Sequence, residues 1–554
     1  MTRGKKTRGK KVKIHDSNGM RRPVPPYFYY ALLFLVIVFF ALLRFRLRAM
    51  PLERDEGEYA YAGQLMLQGI PPYQLAYNMK VPGTYAAYAA ILATFGQTSA
   101  GVRTGLILVN AATTLLVFLL ARRLFGWLAG LIAGSSYALL STSPSVLGFH
   151  SHATHFVVLF AIAGILVLLQ ALESDRIWLF FASGLLLGLA FLMKQPGLAF
   201  LLFALVYTIG RMWKPPANWQ RLAASSGSLA LGGALPFAIT CLMMAGAGLF
   251  HKFWFWTFVY ARQYGTNLKL TEGLELLKAV VPQVIGPALW IWAIAAVGLT
   301  AFLWSTRARA HAFFTISFLL VSFLAVCPGL YFRPHYFILI LPAISILAGI
   351  AVSCASVKLL DWRGRRILSA IPALLFLVAF SCSIFQQREF LFQMDPLEAC
   401  DAIYGREPFP EAIQIADYIR SHTPEDATVA VLGSEPEIYF YSHRHSATGY
   451  IYAYPLLERQ KYALDMQKEM MAEIEKARPA VLVLVNLPDS WIASSSIAST
   501  KDILSWAQRY IHEHYVVDGV AELGNFTTYR WGEEAKSYQP HVPLTIFVFK
   551  RTSP

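Results

Sequence analysis

The sequence is poor in charged residues. Asp, Glu, Lys and Arg make up 15% of its 554 residues and 56% are hydrophobic, whereas soluble domains carry about 25% charged residues. A soluble fold of this composition would need roughly ten fully apolar helices in one core. Many segments instead reach the roughly 20 apolar residues that cross a bilayer as a helix. The composition therefore predicts a polytopic membrane protein.

Cysteine is also scarce. The five cysteines form no C-x-x-C pair and their number is odd, so the sequence predicts no complete disulfide framework. Four of them lie in or beside apolar segments, where a free cysteine acts as a small apolar side chain. The five are Cys241, Cys327, Cys354, Cys382 and Cys400.

Acidic residues are fewer than basic ones, 33 against 48, which gives a net charge of +15. The basic residues do not gather in one aromatic-rich domain, so no nucleic-acid partner is expected. Many lie between apolar segments, as they do on the cytoplasmic face of membrane proteins. Residues 1–26 contain a Lys/Arg-rich run, which predicts a basic cytoplasmic tail that contacts anionic membrane lipid.

About eleven segments are apolar enough to be membrane spans. With the N-terminus inside, the inner segments carry 21 Lys and Arg residues and the outer segments before the last span carry 12, which favours this orientation. An odd number of spans places the C-terminal region outside. The segments lie near 27–43, 101–121, 127–146, 155–172, 177–193, 197–212, 223–248, 283–304, 311–327, 335–356 and 367–385.

The C-terminal region has the pattern of a small α/β domain. Thr428–Leu432 and Ala480–Val485 are typical of short buried strands, and Pro410–His422 and Leu456–Lys476 have apolar residues at helical spacing. The sequence thus predicts three regions, namely the tail 1–26, a membrane domain 27–385 with a large outer loop 44–100, and an outer α/β domain 386–554.

Two polar motifs follow the first span. In Arg54-Asp55-Glu56-Gly57-Glu58, Asp55 could act as a helix N-cap, but three acids in four residues are more than a cap requires. Lys80 lies in the apolar stretch Met79-Lys80-Val81-Pro82, where it could reach from the protein to the membrane surface. Both motifs are predicted to lie on the outer side.

Three histidines follow the third predicted span. His150, His152 and His155 have the spacing H-x-H-x-x-H, for which zinc binding is one interpretation. No cysteine or carboxylate lies next to them to complete such a site. Hydrogen bonding to a phosphate or a sugar, and simple location at the membrane interface, are the other interpretations.

Two cationic positions lie at the outer ends of later spans. Lys194 stands between two apolar segments. A charged side chain costs about 2.5–3.5 kcal/mol near the membrane centre, so a charged residue among membrane spans is often functional. Arg333-Pro334-His335 opens the tenth span, and the proline fixes the start of the helix. Either position could also be an ordinary interfacial cation.

These residues resemble the motifs of lipid-linked-sugar glycosyltransferases of the GT-C superfamily. The resemblance covers roughly residues 27–356 and is strongest to bacterial aminoarabinose transferases of lipid A and to protein O-mannosyltransferases. Four stretches carry it: Asp55-Glu56 through Tyr59-Ala60, which is similar to the acidic motif; Lys80-Val-Pro-Gly, similar to a K-P-P motif; Gly188 through Lys194-Gln195, similar to a lysine motif; and His335-Tyr-Phe with Leu341-Pro-Ala, similar to an R/H-Y-x₅-P motif.

The resemblance implies transfer of a hexose or pentose from a polyprenyl-phosphate donor to a glycolipid such as lipid A, a polysaccharide or a protein. It implies an inverting reaction at the outer face of the bacterial inner membrane, without a metal or other cofactor. Asp55 would be the base, with Glu56 beside it. The expected donor-phosphate ligands are Lys80, Lys194, Arg333 and His335, and the expected substrate-binding residues are Tyr59, His150, His155 and Gln195.

The sequence departs from the family pattern at one place and leaves two alternatives. Related enzymes often carry an acid near Thr154-His155, where this chain has His155. A polytopic transporter or flippase-like protein of the cell envelope would also have many spans and intramembrane charges. The departure at His155 would suit an inactive binding or assembly protein. The clustering of polar motifs on one predicted face favours the transferase.

Overall fold

The computed structural model describes residues 25–174, 176–213, 218–363, 366–458, 460–491, 500–524 and 526–552. The predicted basic tail lies almost wholly outside this part of the chain, since only its last two residues belong to it. The described chain consists of a helical membrane part followed by a mixed six-stranded sheet with helices.

Within the described ranges, eight helical segments are long and apolar enough to cross a membrane. Trp127–Leu140, Ile177–Met193 and Ala312–Val326 are shorter and occupy the three remaining predicted spans. The polytopic helical fold is thereby confirmed, while the number of crossings stays a prediction. The eight segments are Pro26–Arg46, Ser99–Phe125, Ala153–Ser174, Gln195–Met212, Trp219–Gly246, Leu270–Trp304, Leu341–Asp361 and Ile367–Gln386.

Close backbone packing fixes the helix Ile177–Met193 against Trp219–Gly246. A Cβ added to Gly184 would lie 2.1 Å from the carbonyl oxygen of Leu229. Helices in membranes approach each other closely where small residues face the partner helix. The contact therefore fixes the helix Ile177–Met193, which is followed directly by Lys194.

Short helices connect the spans on both sides. The two that matter most for the site are Arg54–Leu67 and Gly83–Phe95, both in the long loop after the first predicted span. The second long loop begins with an aromatic helical segment and continues into Leu270–Ile285. The other short elements of the membrane part are Pro144–Val146, Phe250–Trp254, the π-helical Phe255–Tyr260, Ala261–Gly265, Gly286–Ala288, Thr306–Ala310, Pro334–Leu339 and the π-helical Glu389–Gln393.

The C-terminal region contains the predicted α/β domain. Its strands are β1 (Thr428–Leu432), β2 (His445–Ser446), β3 (Val481–Asn486), β4 (Tyr515–Leu523), β5 (Thr527–Trp531) and β6 (Thr545–Arg551), in the order β2-β1-β3-β6-β4-β5. Strand β1 is parallel to β2 and β3, and the other pairs are antiparallel. Because β1 and β3 are apolar and β1 is buried along almost its whole length, they form the centre of the domain core.

The helices of this domain differ from the prediction in one place. The first of the two predicted helices lies at Phe409–His422 and starts one residue before the expected Pro410. The expected single helix Leu456–Lys476 is broken, because Tyr454–Leu457 ends at Glu458 and a new helix runs over Ala463–Ala477. The remaining helices are Pro396–Tyr404, Glu437–Ser442, Pro488–Trp491, Thr500–His514 and Glu533–Ser537.

The α/β domain packs directly on the helix Arg54–Leu67. A Cβ added to Gly57 would lie 2.7 Å from the Cβ of Glu437. The hydroxyl of Tyr61 accepts a hydrogen bond of 2.7 Å from the backbone N–H of Ser446. This helix, which carries the acidic motif, therefore lies between the membrane part and the α/β domain.

Candidate active site

The helix that carries the acidic motif is capped by Glu53. Its side chain accepts hydrogen bonds from the backbone N–H groups of Asp55 (3.0 Å) and Glu56 (2.9 Å). A carboxylate at this position satisfies the free N–H groups of the first helical turn. Asp55 is therefore not needed as the cap, and its side chain is free to make other contacts.

Asp55 forms an ion pair with Lys80. The ammonium of Lys80 lies 2.7 Å from Asp55 Oδ1 and 2.7 Å from Glu58 Oε2, and 4.5 Å from the centre of the Tyr59 ring. Burial acts to raise the pKa of Asp55, but Lys80 outweighs it and holds the pKa well below its usual range. The side chain of Asp55 stays 26% exposed, so a ligand can approach it.

Glu56 lies in a separate, fully buried cluster. Its carboxylate accepts from Arg103 Nη2 at 2.6 Å and from the backbone N–H of Ser151 at 2.6 Å, and lies 3.0 Å from His150 Nδ1. Burial favours the neutral acid, but Arg103 and His150 lower the pKa of Glu56 to about 2. These contacts connect the loop after the first predicted span to the segment that follows Leu140. They leave Glu56 without exposure to a substrate.

His152 and His335 stack beside Asp55. Their ring centres are 4.0 Å apart and the rings are nearly parallel, at 13°. His152 Nδ1 lies 3.8 Å from Asp55 Oδ2 and 3.7 Å from Glu53 Oε1. Burial lowers the pKa of His152 to about 3, which favours the neutral ring. Neither ring nitrogen has a hydrogen-bond partner among the described residues.

The same residues could hold a metal ion by distance alone. One possible ligand atom from each of Asp55, His152 and His335 lies within 4.8 Å of the others. The carboxylate is already neutralised by Lys80, however, and the charge of Lys194 also acts on it. A divalent cation would therefore be placed among existing positive charges, which opposes its binding.

Lys194 lies at the break between two helices. Pro196 prevents the first helix from continuing, and Lys194 adopts an extended backbone conformation between Met193 and Gln195. Its ammonium lies 4.1 Å from the centre of the Tyr336 ring. It makes no hydrogen bond or ion pair with the described residues. Burial lowers its pKa to about 7.

Arg333 is exposed at the start of the segment that carries His335. The residues before it turn sharply, because Gly329, Leu330 and Phe332 all have positive φ angles, which cost energy for residues with a Cβ. Arg333 also has no ion-pair or hydrogen-bond partner in the described chain.

The predicted substrate-binding residues divide into two groups. Tyr59 is buried next to Lys80, and Gln195 donates a hydrogen bond of 2.6 Å to the carbonyl of Met79, which connects the turn of Lys194 to the loop of Lys80. His155 instead lies in a membrane helix, and both of its ring nitrogens are buried without partners. His150 belongs to the buried cluster of Glu56.

The structure therefore brings Asp55, Lys80, Lys194, Arg333 and His335 together, but separates Glu56 and His150 from them. The sequence did not assign roles to Arg103 and Glu58, and it singled out His152 only as one member of the H-x-H-x-x-H group. Arg103 lies within an apolar span, and its partner Glu56 is distant in sequence. The sequence therefore offers one signal for Arg103, namely that a charge within a span is costly and often functional. Glu58 had a signal, since it is the third acid of the motif.

The α/β domain also reaches this site. The ring of Tyr452 lies 6.0 Å from the ammonium of Lys80, and its hydroxyl donates to the carbonyl of Arg54 at 2.8 Å. Arg54 in turn pairs with Glu407 at 2.6 Å and Glu435 at 3.2 Å. The domain thus forms one wall of the site, which sequence alone did not indicate.

Two solved structures of membrane proteins share this fold over most of the chain. The structure of ArnT from Cupriavidus metallidurans bound to undecaprenyl phosphate is similar over 84% of this chain and 94% of that chain, with a TM-score of 0.56 and 17% identity. The archaeal oligosaccharyltransferase AglB from Archaeoglobus fulgidus, in complex with an inhibitory peptide and a dolichol-phosphate, is similar over 94% and 76%, with a TM-score of 0.52 and 13% identity.

Residues 80–243 match the family described as dolichyl-phosphate-mannose-protein mannosyltransferase. No curated protein sequence matches the chain. The chain shares the fold of these two proteins, and the family match over residues 80–243 confirms the resemblance predicted from the motifs. Together the family match and the fold support a glycosyltransferase.

Proposed function

We propose that this protein transfers a sugar from a polyprenyl-phosphate donor to an acceptor hydroxyl or amine at the outer face of the membrane. One observation carries the proposal: a partly exposed carboxylate, Asp55, lies in a cluster with two cations that have no partner in the described chain, Lys194 and Arg333. This combination suits a neutral nucleophile and an anionic phosphate in one site. The acceptor is a glycolipid, a polysaccharide or a protein.

The chemistry requires one base and several cations. The acceptor oxygen attacks the anomeric carbon, and the bond from that carbon to the phosphate oxygen breaks. Its electron pair leaves with the polyprenyl phosphate, and the acceptor proton passes to the carboxylate of Asp55. A glycosidase needs a second carboxylic acid to protonate its leaving group, whereas a phosphate leaves as a stable anion. Single displacement inverts the anomeric centre.

The remaining residues are assigned by their contacts. Lys194 and Arg333 hold the donor phosphate, because their charges are not used within the protein, and His335 donates to it beside them. Glu56 is a positioning residue that holds the first outer loop through Arg103. The proposed boundaries remain a membrane domain of 27–385 and an outer domain of 386–554, with the N-terminus inside and the site outside.

The test is reconstitution of the full chain in vesicles with a panel of undecaprenyl-phosphate hexoses and pentoses and a membrane extract as acceptor source. Wild type is expected to transfer labelled sugar and Asp55→Asn to lose at least about 100-fold in rate. Asp465→Asn, an exposed position in the α/β domain, serves as the matched control. Transfer by Asp55→Asn at the wild-type rate would exclude Asp55 as base. No transfer by wild type with any donor would favour a transporter.

A further inference from the structure

Lys80 is surrounded by partners from its own chain. Its ammonium makes two short ion pairs, with Asp55 and Glu58, and its third side faces the Tyr59 ring. Lys194 and Arg333 have no such partners in the described chain. A phosphate that binds here meets two available cations and one whose charge is already shared between two carboxylates.

Glu58 is bound in a way that differs from Asp55. Its carboxylate is fully buried and accepts a second hydrogen bond of 2.5 Å from the hydroxyl of Tyr85. A buried carboxylate stays charged only when it is paired and hydrogen-bonded. Asp55 is partly exposed and has no such anchor, so of the two partners of Lys80 only Asp55 can be replaced by a ligand at low cost.

Asp55 as it stands is a weak base. The ion pair with Lys80 stabilises its charged form, and a base with a low pKa gains little on taking a proton. A phosphate that draws Lys80 away from Asp55 removes this stabilisation and so raises the basicity of the carboxylate. Glu58 would keep its own bond to Lys80 throughout, so the ammonium would never be left buried and unpaired.

We propose that Glu58 is a positioning residue that holds Lys80 so that the donor phosphate can replace Asp55 as its second partner, which activates Asp55 as a base only when donor is bound. The inference rests on the proposed function, since it requires a phosphate in the site. This role explains why the acidic motif contains Glu58, which is fully buried and does not cap the helix.

The effect of Glu58→Gln has opposite signs on two measurements. Removal of its charge makes Lys80 a stronger ligand for phosphate, so the full-length protein in nanodiscs should bind undecaprenyl phosphate about tenfold more tightly. Because undecaprenyl phosphate is also the product, its slower release should slow sugar transfer by about tenfold. A purely structural role for Glu58 would weaken binding and transfer together.

A double-variant comparison tests whether Glu58 acts through Lys80. In a Lys80→Met background, Glu58→Gln should change undecaprenyl-phosphate affinity by less than about twofold, because the residue that couples them is gone. Glu275→Gln serves as the control, since Glu275 pairs with Lys278 at 2.8 Å on an exposed surface. It should change neither affinity nor rate.

Asp55→Asn gives an independent arm if Glu58→Gln does not fold. It removes the group that competes with phosphate for Lys80, so undecaprenyl phosphate should bind more tightly than to wild type although transfer is lost. Equal or weaker binding by both variants would overturn the inference while leaving the proposed function intact. Absence of undecaprenyl-phosphate binding and of transfer in wild type would instead contradict the proposed function.

Discussion

At the scale of single residues, the charge of Lys194 determines how strongly the site binds an anionic phosphate. Its pKa is lowered to about 7, so the ammonium is present below pH 7 and is lost as the pH rises. Undecaprenyl phosphate has a second pKa of about 6 and stays fully charged above pH 7. The affinity of the protein for undecaprenyl phosphate should therefore fall by up to about tenfold per pH unit above 7. The fall should end at the pKa that Lys194 has in the complex, which the bound anion raises.

Lys194→Arg separates this cause from others. Arginine keeps its charge throughout the range, so binding of undecaprenyl phosphate to this variant should be nearly independent of pH between about 7 and 9. Titration of the ligand by native mass spectrometry or calorimetry at several pH values measures both proteins. An equal pH dependence in the two would assign the effect to another group.

Glu56 is expected to affect stability rather than chemistry. Glu56→Gln would leave the buried guanidinium of Arg103 without its counter-charge, and breaking a buried pair costs about 3–5 kcal/mol. Unfolding in detergent should show this loss. Glu173→Gln breaks the exposed pair with Arg123 and should cost at most about 1 kcal/mol. Loss of transfer without loss of stability in Glu56→Gln would identify Glu56 as catalytic.

The cluster of Asp55, His152 and His335 bears on metal dependence. Its atoms are close enough for a metal ion, but Lys80 already supplies the positive charge at Asp55. Transfer should therefore proceed unchanged in excess EDTA. An enzyme that loses its activity in EDTA and regains it with one divalent cation would show that the metal, and not Lys80, is the functional partner of Asp55.

At the scale of elements, the position of Lys194 depends on how two helices pack. Gly184→Ala would place a methyl group against the backbone of Leu229, and overpacking typically costs about 1–3 kcal/mol. The helix Ile177–Met193 should shift, and affinity for undecaprenyl phosphate should fall with it. Gly227→Ala, on the partner helix with open space around it, should change neither thermal stability in detergent nor affinity. Equal behaviour of the two variants would exclude this contact.

The elements were predictable where one local signal dominates. Strand β1 has the predicted bounds, Thr428–Leu432, and the long apolar helices overlap the segments predicted from their hydropathy. The break at Glu458 was not predictable, because the residues on both sides keep helical spacing and neither glycine nor proline stands between Leu457 and Ala463. The antiparallel pairing of β6 between β3 and β4 joins segments that are distant in sequence, so no local pattern indicates it.

The site was predictable in part for the same reason. Asp55, Lys80 and Lys194 stand out because each is a charge beside an apolar segment. Arg103 and Tyr452 were not assigned to the site, because their roles depend on contacts with Glu56 and Arg54, which are far away in the chain. Separation of Asp55 from Glu56 follows from helix geometry, because adjacent residues on a helix point in different directions.

At the scale of the whole molecule, the α/β domain and the membrane part share the helix Arg54–Leu67. Its closest approach to the domain is at Gly57, where any side chain would meet the backbone and Cβ of Glu437. The domain also supplies Tyr452 to the site. A change at this contact should therefore separate the two parts without removing any of the proposed phosphate ligands.

Gly57→Ala is expected to lower transfer by about tenfold or more while changing affinity for undecaprenyl phosphate by no more than about threefold. The domain must move away from the helix, which displaces the wall that faces the acceptor, whereas Lys194 and Arg333 belong to the membrane part. Parallel transfer and binding measurements on the full chain test this. Gly246→Ala, where an added Cβ meets nothing within 4 Å, is the control. Equal losses of binding and transfer would mean that the domain holds the donor site itself, and normal transfer would mean that the contact has no catalytic role.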